Sequence, residues 1–464
     1  MPRLVALVLL LAACGGSVPA ATTTKTAIST TTTKAPQPAA ASLIDDPAYE
    51  AAMRIIDDPG QVTAGLAAAR MFESGDVRWV PYLVDLVLLI GLGDAFYQAW
   101  GALRELTGEP GPVEPAEVYT FFGGWMYDHG IDPGPGYVEW KARLYGLIDP
   151  DFEELIAQID DAVLASRIQW GGVLRGGIPE LNHQRTITVA EASYMQDDEL
   201  TFAAVINGEA RAYPHRILDH HELANDTLGG EPVALADCTL CRTGVLFSRQ
   251  VGGQVLEFET SGLLLNSNKV MVDRQTNSLW NHLTGVAIAG PLAGTELDRF
   301  FLTVTRWGDW VAEHPETDVL AIPELGLSYS YQPGDAYRSY YASERLWFPI
   351  FAVPDALDAK TEVATLELDG SRLAVGVDAL ATAGSQLLQV GDRTVAVVPT
   401  SGGARFYDVT GAGDLGDDVA GAVAGELALQ LPDGRRFDRV QSGQSFWFAW
   451  YGNHPDTAWW PRSS

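Results

Sequence analysis

The period of the hydrophobic pattern changes once along the chain, at Trp170-Gly171-Gly172, and that change fixes the kind of fold available. A helix returns to one face every three to four residues and a strand every second residue, so one segment cannot satisfy both. From Asp45 to about Ser166 the spacing is helical, and it predicts helices over Pro47–Ile56, Val62–Phe72, Trp79–Ile90, Ala95–Leu106, Pro115–Tyr127, Tyr137–Leu147 and Phe152–Leu164. Pro59-Gly60 and the Gly/Pro clusters at 108–112 and 132–136 separate them. Beyond residue 172 alternation takes over, with strands expected at Thr186–Val189, Leu200–Ile206, Val245–Gln250, Val255–Thr260, Lys269–Asp273, Glu362–Leu368, Leu373–Val377, Leu387–Val390, Thr394–Pro399 and Glu426–Leu431. Asn207-Gly208 and Asp433-Gly434 suit type I′ hairpins, which need positive φ at both central residues. Helices are expected within this part at Pro214–Asn225 and Phe300–Glu313, and the aromatic run from Phe446 to Tyr451 reads as a final core strand. The fold class is α+β: an N-terminal all-α helical domain over 43–166, then a larger, mainly β domain with a few helices over 167–464. A chain of 464 residues has room for two or three domains at ~150 residues each.

The first residues carry an address. Arg3 precedes the apolar run Leu4–Ala13, which has the length of a signal-peptide core and about half of the ~20 residues a membrane span needs. Small residues directly before Cys14 resemble the lipobox of bacterial lipoproteins, where the chain is cut before a cysteine that then carries lipid. Residues 1–13 are accordingly expected as a lipoprotein signal peptide, and 14–42 as the lipidated Cys14 followed by a disordered Thr/Pro/Ala tether without an aromatic residue. The stretch from Trp79 to Trp100 is apolar but contains Asp85 and Asp94, which hydrocarbon penalises. The body would thus sit in the cell envelope, lipid-anchored on the extracytoplasmic side of a bacterial membrane. Its formal charge of −30 repels phosphate backbones, so nucleic acid is excluded as a partner, and nothing in the sequence names a protein partner.

With Cys14 lipidated, the remaining cysteines are Cys238 and Cys241, in Asp237-Cys238-Thr239-Leu240-Cys241-Arg242. Two thiols at this spacing can ligate one metal, close a reversible disulfide, or form a structural bridge. Haem attachment would need histidine where Arg242 stands. Upstream lies Asp219-His220-His221-Glu222; a zinc-protease helix would need histidine where Asn225 stands, so that reading fails. In a metal site His221 could supply a third ligand and His215, His220, His282 or His454 a fourth. Asn266-Ser267-Asn268 next to a hydrophobic strand either holds a tight turn or lines a pocket. Asp273, Arg274 and Trp280 divide in the same way between strand-end packing and a site. The glycine-rich Gly411-Ala412-Gly413 stretch lacks the strand and helix of a dinucleotide loop and places Asp414 where pyrophosphate would sit.

Taken together these segments resemble the bacterial family known as domain of unknown function 3179. The resemblance rests on Trp170-Gly171-Gly172-Val173, Asn207–Pro214, His221-Glu222 with Asn225-Asp226, the Cys238/Cys241 pair, Ser261-Gly262 and Asn266–Lys269. It continues through Asp273-Arg274, Ser278–Trp280, Gly290–Leu292, Trp307 with Trp310, His314–Thr317, the 446–450 tail and His454–Thr457, covering about Arg167 to Trp460. It implies export, often with a lipid anchor, and no particular activity. Family members commonly carry Tyr before the first cysteine and a small residue after the second, where this chain has Asp237 and Arg242. His220 and His282 also stand where relatives usually have Trp and a polar residue.

The leading expectation is an extracytoplasmic protein binding a transition metal, zinc or copper, through Cys238, Cys241 and His221. Glu222, Asp237, Asn225, Asn266, Ser267, Asn268, Asp273 and Trp280 would be supporting or pocket residues. The alternatives are a thiol–disulfide redox protein using the same pair, and a non-catalytic envelope ligand-binding protein in which the pair is a structural disulfide.

Overall fold

The computed structural model describes residues 42–461 other than 327, 414 and 416–418. The signal peptide, Cys14 and the tether therefore lie outside the described residues. Helix accounts for 31% and strand for 29% of the described residues, and a mainly β region begins near residue 168. Two compact units are present among the described residues, one made of those in 42–122, 130–157 and 161–166, the other of those in 123–129, 158–160 and 167–461.

In the first unit the helices Pro47–Asp57, Gln61–Ser74, Val80–Leu89, Asp94–Thr107 and Tyr137–Gly146 follow the expected spacing. Each starts or stops for a local reason: Asp46 accepts from Ala48 N–H at 2.8 Å, and Gly75 and Gly108 end helices with φ of 70° and 73°. Asp85, which bars the apolar helix Val80–Leu89 from lipid, is buried against Lys141 at 3.0 Å, Tyr137 at 2.6 Å and Tyr145 at 2.9 Å. The segment expected as one helix over Phe152–Leu164 is two, Pro150–Ala157 and Ala162–Arg167. Asp161 explains the break, because its carboxylate accepts from Val163 N–H at 2.8 Å and nucleates the second helix.

The second unit stacks several mainly antiparallel sheets, three of which carry one parallel pairing each. One runs Thr303–Arg306, Leu200–Ile206, Glu209–Pro214, Asp318–Leu320 and Thr186–Thr188; another runs Leu181–Asn182, Leu223–Leu228, Glu231–Cys238 and Thr243–Ser248. A third runs Ile168–Trp170, Phe258–Leu265, Asn268–Asp273, Leu279–Asn281 and Ala287–Ala289. Nearer the C-terminus, Ser442–Phe446, Glu362–Leu368, Ser371–Gly376 and Ala458–Trp460 form a four-stranded sheet. Gln386–Val390, Arg393–Pro399 and Ala404–Asp408 form a three-stranded one. Apolar faces close on each other, for instance Phe202, Tyr213, Leu235 and Leu246 in one cluster and Phe247, Phe258, Met271 and Trp280 in the next.

Four expectations are corrected. The helix expected over Pro214–Asn225 ends at His221, where Glu222 turns to φ 56°, and Leu223–Leu228 is a strand. The helix expected over Phe300–Glu313 is a strand, Thr303–Arg306, followed by the helix Trp307–Glu313. The aromatic run from Phe446 is mostly helix, Trp447–Asn453, which buries Trp447, Phe448 and Trp450 at helical spacing. Asn207-Gly208 has the two positive φ angles of a type I′ turn, 51° and 87°; in Asp433-Gly434 only the glycine does, and Asp433 instead accepts from Arg435 N–H at 2.9 Å.

Candidate functional site

Strands Glu231–Cys238 and Thr243–Ser248 pair with Cys238 opposite Thr243, so Thr239–Arg242 close the hairpin. Cys241 N–H donates to the Cys238 carbonyl at 3.0 Å, and Arg242 takes φ 52° to bring the chain back into register. This is the conformation for which a small residue is usual; here an ion pair with Glu362 at 2.9 Å and stacking on Tyr341 at 4.7 Å hold an arginine in it. Both cysteines carry free thiols, 2% and 0% exposed. The thiols share a hydrogen bond, and burial followed by that contact pushes the Cys241 thiol well up.

The second participant is the hairpin joining Phe258–Leu265 to Asn268–Asp273. Asn266 and Ser267 have φ of 52° and 58°, the signature of a type I′ turn, and the turn is fully buried. It delivers the Ser267 carbonyl to within 3.4 Å of the Cys241 sulfur, which also receives the Lys269 backbone N–H. The two readings of Asn266–Asn268 thus coincide: the tight turn is also a wall of the thiol site. Its Asn266 Nδ2 and Ser267 Oγ are buried without a hydrogen-bond partner. Asn268 faces His282 Nδ1 at 3.1 Å, while His282 Nε2 lies 3.2 Å from the Ala236 carbonyl. Burial holds this imidazole down to about 3, so it is neutral and carries one ring proton between two acceptors, the Asn268 Oδ1 and the Ala236 carbonyl.

Lys269 carries a buried charge beneath the turn. Its Nζ donates to the carbonyls of Glu222 at 2.8 Å and Asp237 at 3.1 Å and pairs with the Glu222 carboxylate at 3.2 Å. That carboxylate accepts from Thr239 Oγ1 at 3.0 Å and Tyr337 Oη at 3.3 Å. Asp237, fully enclosed, has its carboxyl pushed well up by burial and then by the neighbouring acids Asp219 and Glu222. Over the turn lies the connection from 321 to 361. Tyr340 Oη donates to the Leu240 carbonyl at 3.0 Å and Tyr341 Oη to the Thr239 carbonyl at 2.9 Å. Lys360 Nζ fastens this cover by donating to the carbonyls of Tyr340, Ser343 and Arg345. No sequence reasoning singled out these residues; the clustering of Tyr337, Tyr340 and Tyr341 in a segment without a period was the available signal.

The structure does not bring His221 to the sulfurs. Its Nδ1 donates to the Pro179 carbonyl at 2.7 Å and its Nε2 accepts from Tyr331 Oη at 2.6 Å, so both nitrogens are spent. The reason is the left-handed turn at Glu222, which sends Glu222 rather than His221 toward the cysteines. The other candidate ligands are also elsewhere: His220 meets the Ser330 carbonyl at 3.0 Å, and the His454 ring lies tilted against Trp450 at 4.3 Å. His215 stacks on Phe202 at 4.1 Å. Asn225 ties strands together through Asn182 and both backbone groups of Phe258. Asp273 closes its own turn through Thr276 at 2.6 Å and anchors Trp280 Nε1 at 2.9 Å, while Arg274 pairs with Glu259. Those four residues are structural in this arrangement.

Among the described residues, one set of three His, Cys, Asp or Glu ligand atoms falls within 4.8 Å of one another, Glu313, His314 and Glu426. Arg405 bridges those two carboxylates and Arg439 pairs with Glu426 at 2.6 Å, so their charge is already matched. The cysteine turn therefore offers two sulfur donors without a third such side chain, which falls short of a four-ligand zinc site. No helix among the described residues is long and apolar enough to cross a membrane.

No curated protein and no solved structure matches the chain. The family described as "Protein of unknown function (DUF3179)" matches residues 175–457, more than half of the sequence. That span holds the cysteine turn, the Asn266–Lys269 hairpin and the tyrosine cover, and the chain belongs to this family.

Proposed function

We propose that the protein binds a soft, thiophilic metal ion, copper(I) ahead of zinc, through Cys238 and Cys241. The observation that carries this reading is the pair of free thiols in one buried turn with, among the described residues, no His, Asp or Glu ligand atom within 4.8 Å of both sulfurs. Soft thiolates favour copper(I), which two sulfurs in opposition can satisfy, whereas a structural zinc site asks for four donors. Binding would release both thiol protons and leave a complex of net charge −1, with the Lys269 N–H directed at one sulfur. A thiol–disulfide role is less well supported, because the pair closes a β-hairpin rather than starting a helix and both sulfurs are covered. A lipid anchor at Cys14 would hold this site in the envelope, where such ions are met.

The test is an anaerobic titration of reduced, tag-free protein with copper(I) against a coloured chelator. One ion per chain is expected, with at least a hundredfold loss of affinity in Cys238→Ser and in Cys241→Ser. Reduced protein that leaves copper(I) with the chelator, or that takes up zinc in a manner abolished by His221→Ala, would overturn the proposal.

A further inference from the structure

Two stretches of the second unit repeat one another strand for strand. Leu200–Ile206, an Asn207-Gly208 turn, Glu209–Pro214 and the helix His215–His221 match Glu362–Leu368, an Asp369-Gly370 turn, Ser371–Gly376 and the helix Val377–Ala383. Both turns have two positive φ angles, 51° and 87° in the first and 49° and 77° in the second. After the helix each stretch forms a three-stranded meander, Leu223–Leu228, Glu231–Cys238 and Thr243–Ser248 in the first, Gln386–Val390, Arg393–Pro399 and Ala404–Asp408 in the second.

Each stretch then returns to its first sheet by a strand, a short helix and a parallel strand. Arg306 pairs with Leu200 as Phe446 pairs with Glu362, and Asp318 lies opposite Arg211 as Ala458 lies opposite Leu373. The returning helices share the pattern W-x-x-W-x-x-x-H-P-x-T, at Trp307–Thr317 and Trp447–Thr457. Trp310 Nε1 donates to Thr317 Oγ1 at 2.9 Å and Trp450 Nε1 to Thr457 Oγ1 at 2.9 Å; the rings of His314 and His454 lie on those tryptophans at 4.1 and 4.3 Å. The copies also exchange contacts. Phe446 N–H of the second donates to the Cys241 carbonyl of the first at 2.7 Å, and Arg306 N–H of the first donates to Ser401 Oγ of the second at 2.9 Å. Reciprocal contact of this kind is what a two-fold relation produces.

The two junctions differ in one respect that concerns chemistry. The second hairpin is closed by Thr400 N–H on the Gly403 carbonyl at 2.9 Å, leaving Ser401-Gly402 as a two-residue loop. The first has the four-residue loop Thr239–Arg242, and Cys241 stands in the added length. Ion pairing of Arg405 with Glu313 closes the second junction; Asn453, the counterpart of Glu313, instead meets Asn281 at 3.0 Å.

We infer that residues 200–320 and 362–460 are two copies of one folding module, and that ligand binding is confined to the first of their two equivalent junctions, where the hairpin is two residues longer and carries both thiols. The second hairpin is a structural counterpart without a site. The ligand class, a soft metal ion, rests on the function proposed above; the equivalence of the copies does not.

The experiment replaces Thr239–Arg242 by Ser-Gly, giving the first junction the loop of the second, and measures the thermal transition and copper(I) uptake. Equivalence predicts a folded protein with a single transition and copper uptake reduced at least a hundredfold. Loss of the cooperative transition overturns the equivalence; a folded variant that still takes up copper overturns the placement of the site. A second measurement stands apart from the loop: Thr317→Val and Thr457→Val remove the same bond from each copy and should lower Tm by the same ~2–4 °C. A severalfold difference between them would also overturn the equivalence. Should the unaltered protein bind no copper(I), the proposed function falls, while both stability readings still decide whether the copies are equivalent.

Discussion

Asp219 is the residue on which the electrostatics of the site can be read most directly. It sits at the C-terminal end of the helix His215–His221, and burial, opposed by Arg242 and reinforced by Glu222, pushes its carboxyl up to about 7. Unfolded, it would titrate near ~4. Between those values the native chain keeps a proton that the unfolded chain has released, so this group's contribution falls as pH rises through that window. The buried imidazoles of His215 and His282, both held down to about 3, act in the opposite sense and cost stability as pH drops below ~6.5. The wild-type profile therefore mixes both, and a difference separates them. Asp219→Asn should gain Tm relative to wild type steadily from pH 4 to pH 7, followed by calorimetry in matched buffers. A gap between the two proteins that stays constant across that range would refute the assignment.

At the scale of elements, the turn at Arg242 shows how local rules were bent to build the site. An L-residue in the left-handed region costs ~1 kcal/mol, which the Glu362 pair and Tyr341 stacking offset in part, each worth less than ~1 kcal/mol at a partly exposed position. Arg242→Gly removes the strain together with the contacts, whereas Arg242→Ala keeps the strain and loses them. Urea unfolding should find the glycine variant more stable than the alanine variant by about 1 kcal/mol, and the reverse order would show that Arg242 is not strained. Regular elements such as Leu200–Ile206 were legible because a short apolar run and the Asn207-Gly208 turn signal that ends it agreed. Leu223–Leu228 was not, because Ile217, His221 and Ala224 continue a helical spacing and only the backbone reversal at Glu222 ends it. The same reversal decided the site. His221 and Glu222 are neighbours in sequence, and a helix run on through both would have aimed the wrong one. The cysteine pair and the Asn266–Asn268 turn were legible as chemistry-bearing types, but their meeting depends on sheet register, which no local pattern encodes. The doubled Trp/His-Pro/Thr pattern was present in the sequence too; its meaning emerged only when identical strand pairings placed both segments at matching positions.

For the whole chain, charge sets the response to the medium. Acidic side chains outnumber basic ones 60 to 30, so even if every Lys and Arg were paired, half of the carboxylates would be left over. Some of those cations are taken inside the fold: Lys141, Lys269, Arg216, Arg405 and Arg439 are all buried beside acids. The surface is left with an excess of negative charge whose self-repulsion opposes the compact state. Salt acts on the two populations unequally. Exposed charges lose their interaction beyond a Debye length of ~10 Å at 0.1 M, whereas buried pairs are screened far less. Added sodium chloride should therefore remove repulsion without removing the pairs that hold the core, and Tm should rise between about 0.02 M and 0.5 M salt. A Tm that falls over that range would mean that exposed ion pairs such as Arg393 with Asp369 and Asp408 outweigh the repulsion, and that the excess charge carries no cost to the fold. The same field bears on the proposed anchor: a body this acidic is pushed away from anionic headgroups, so contact with a bilayer would have to come from lipid at Cys14 and not from the folded surface.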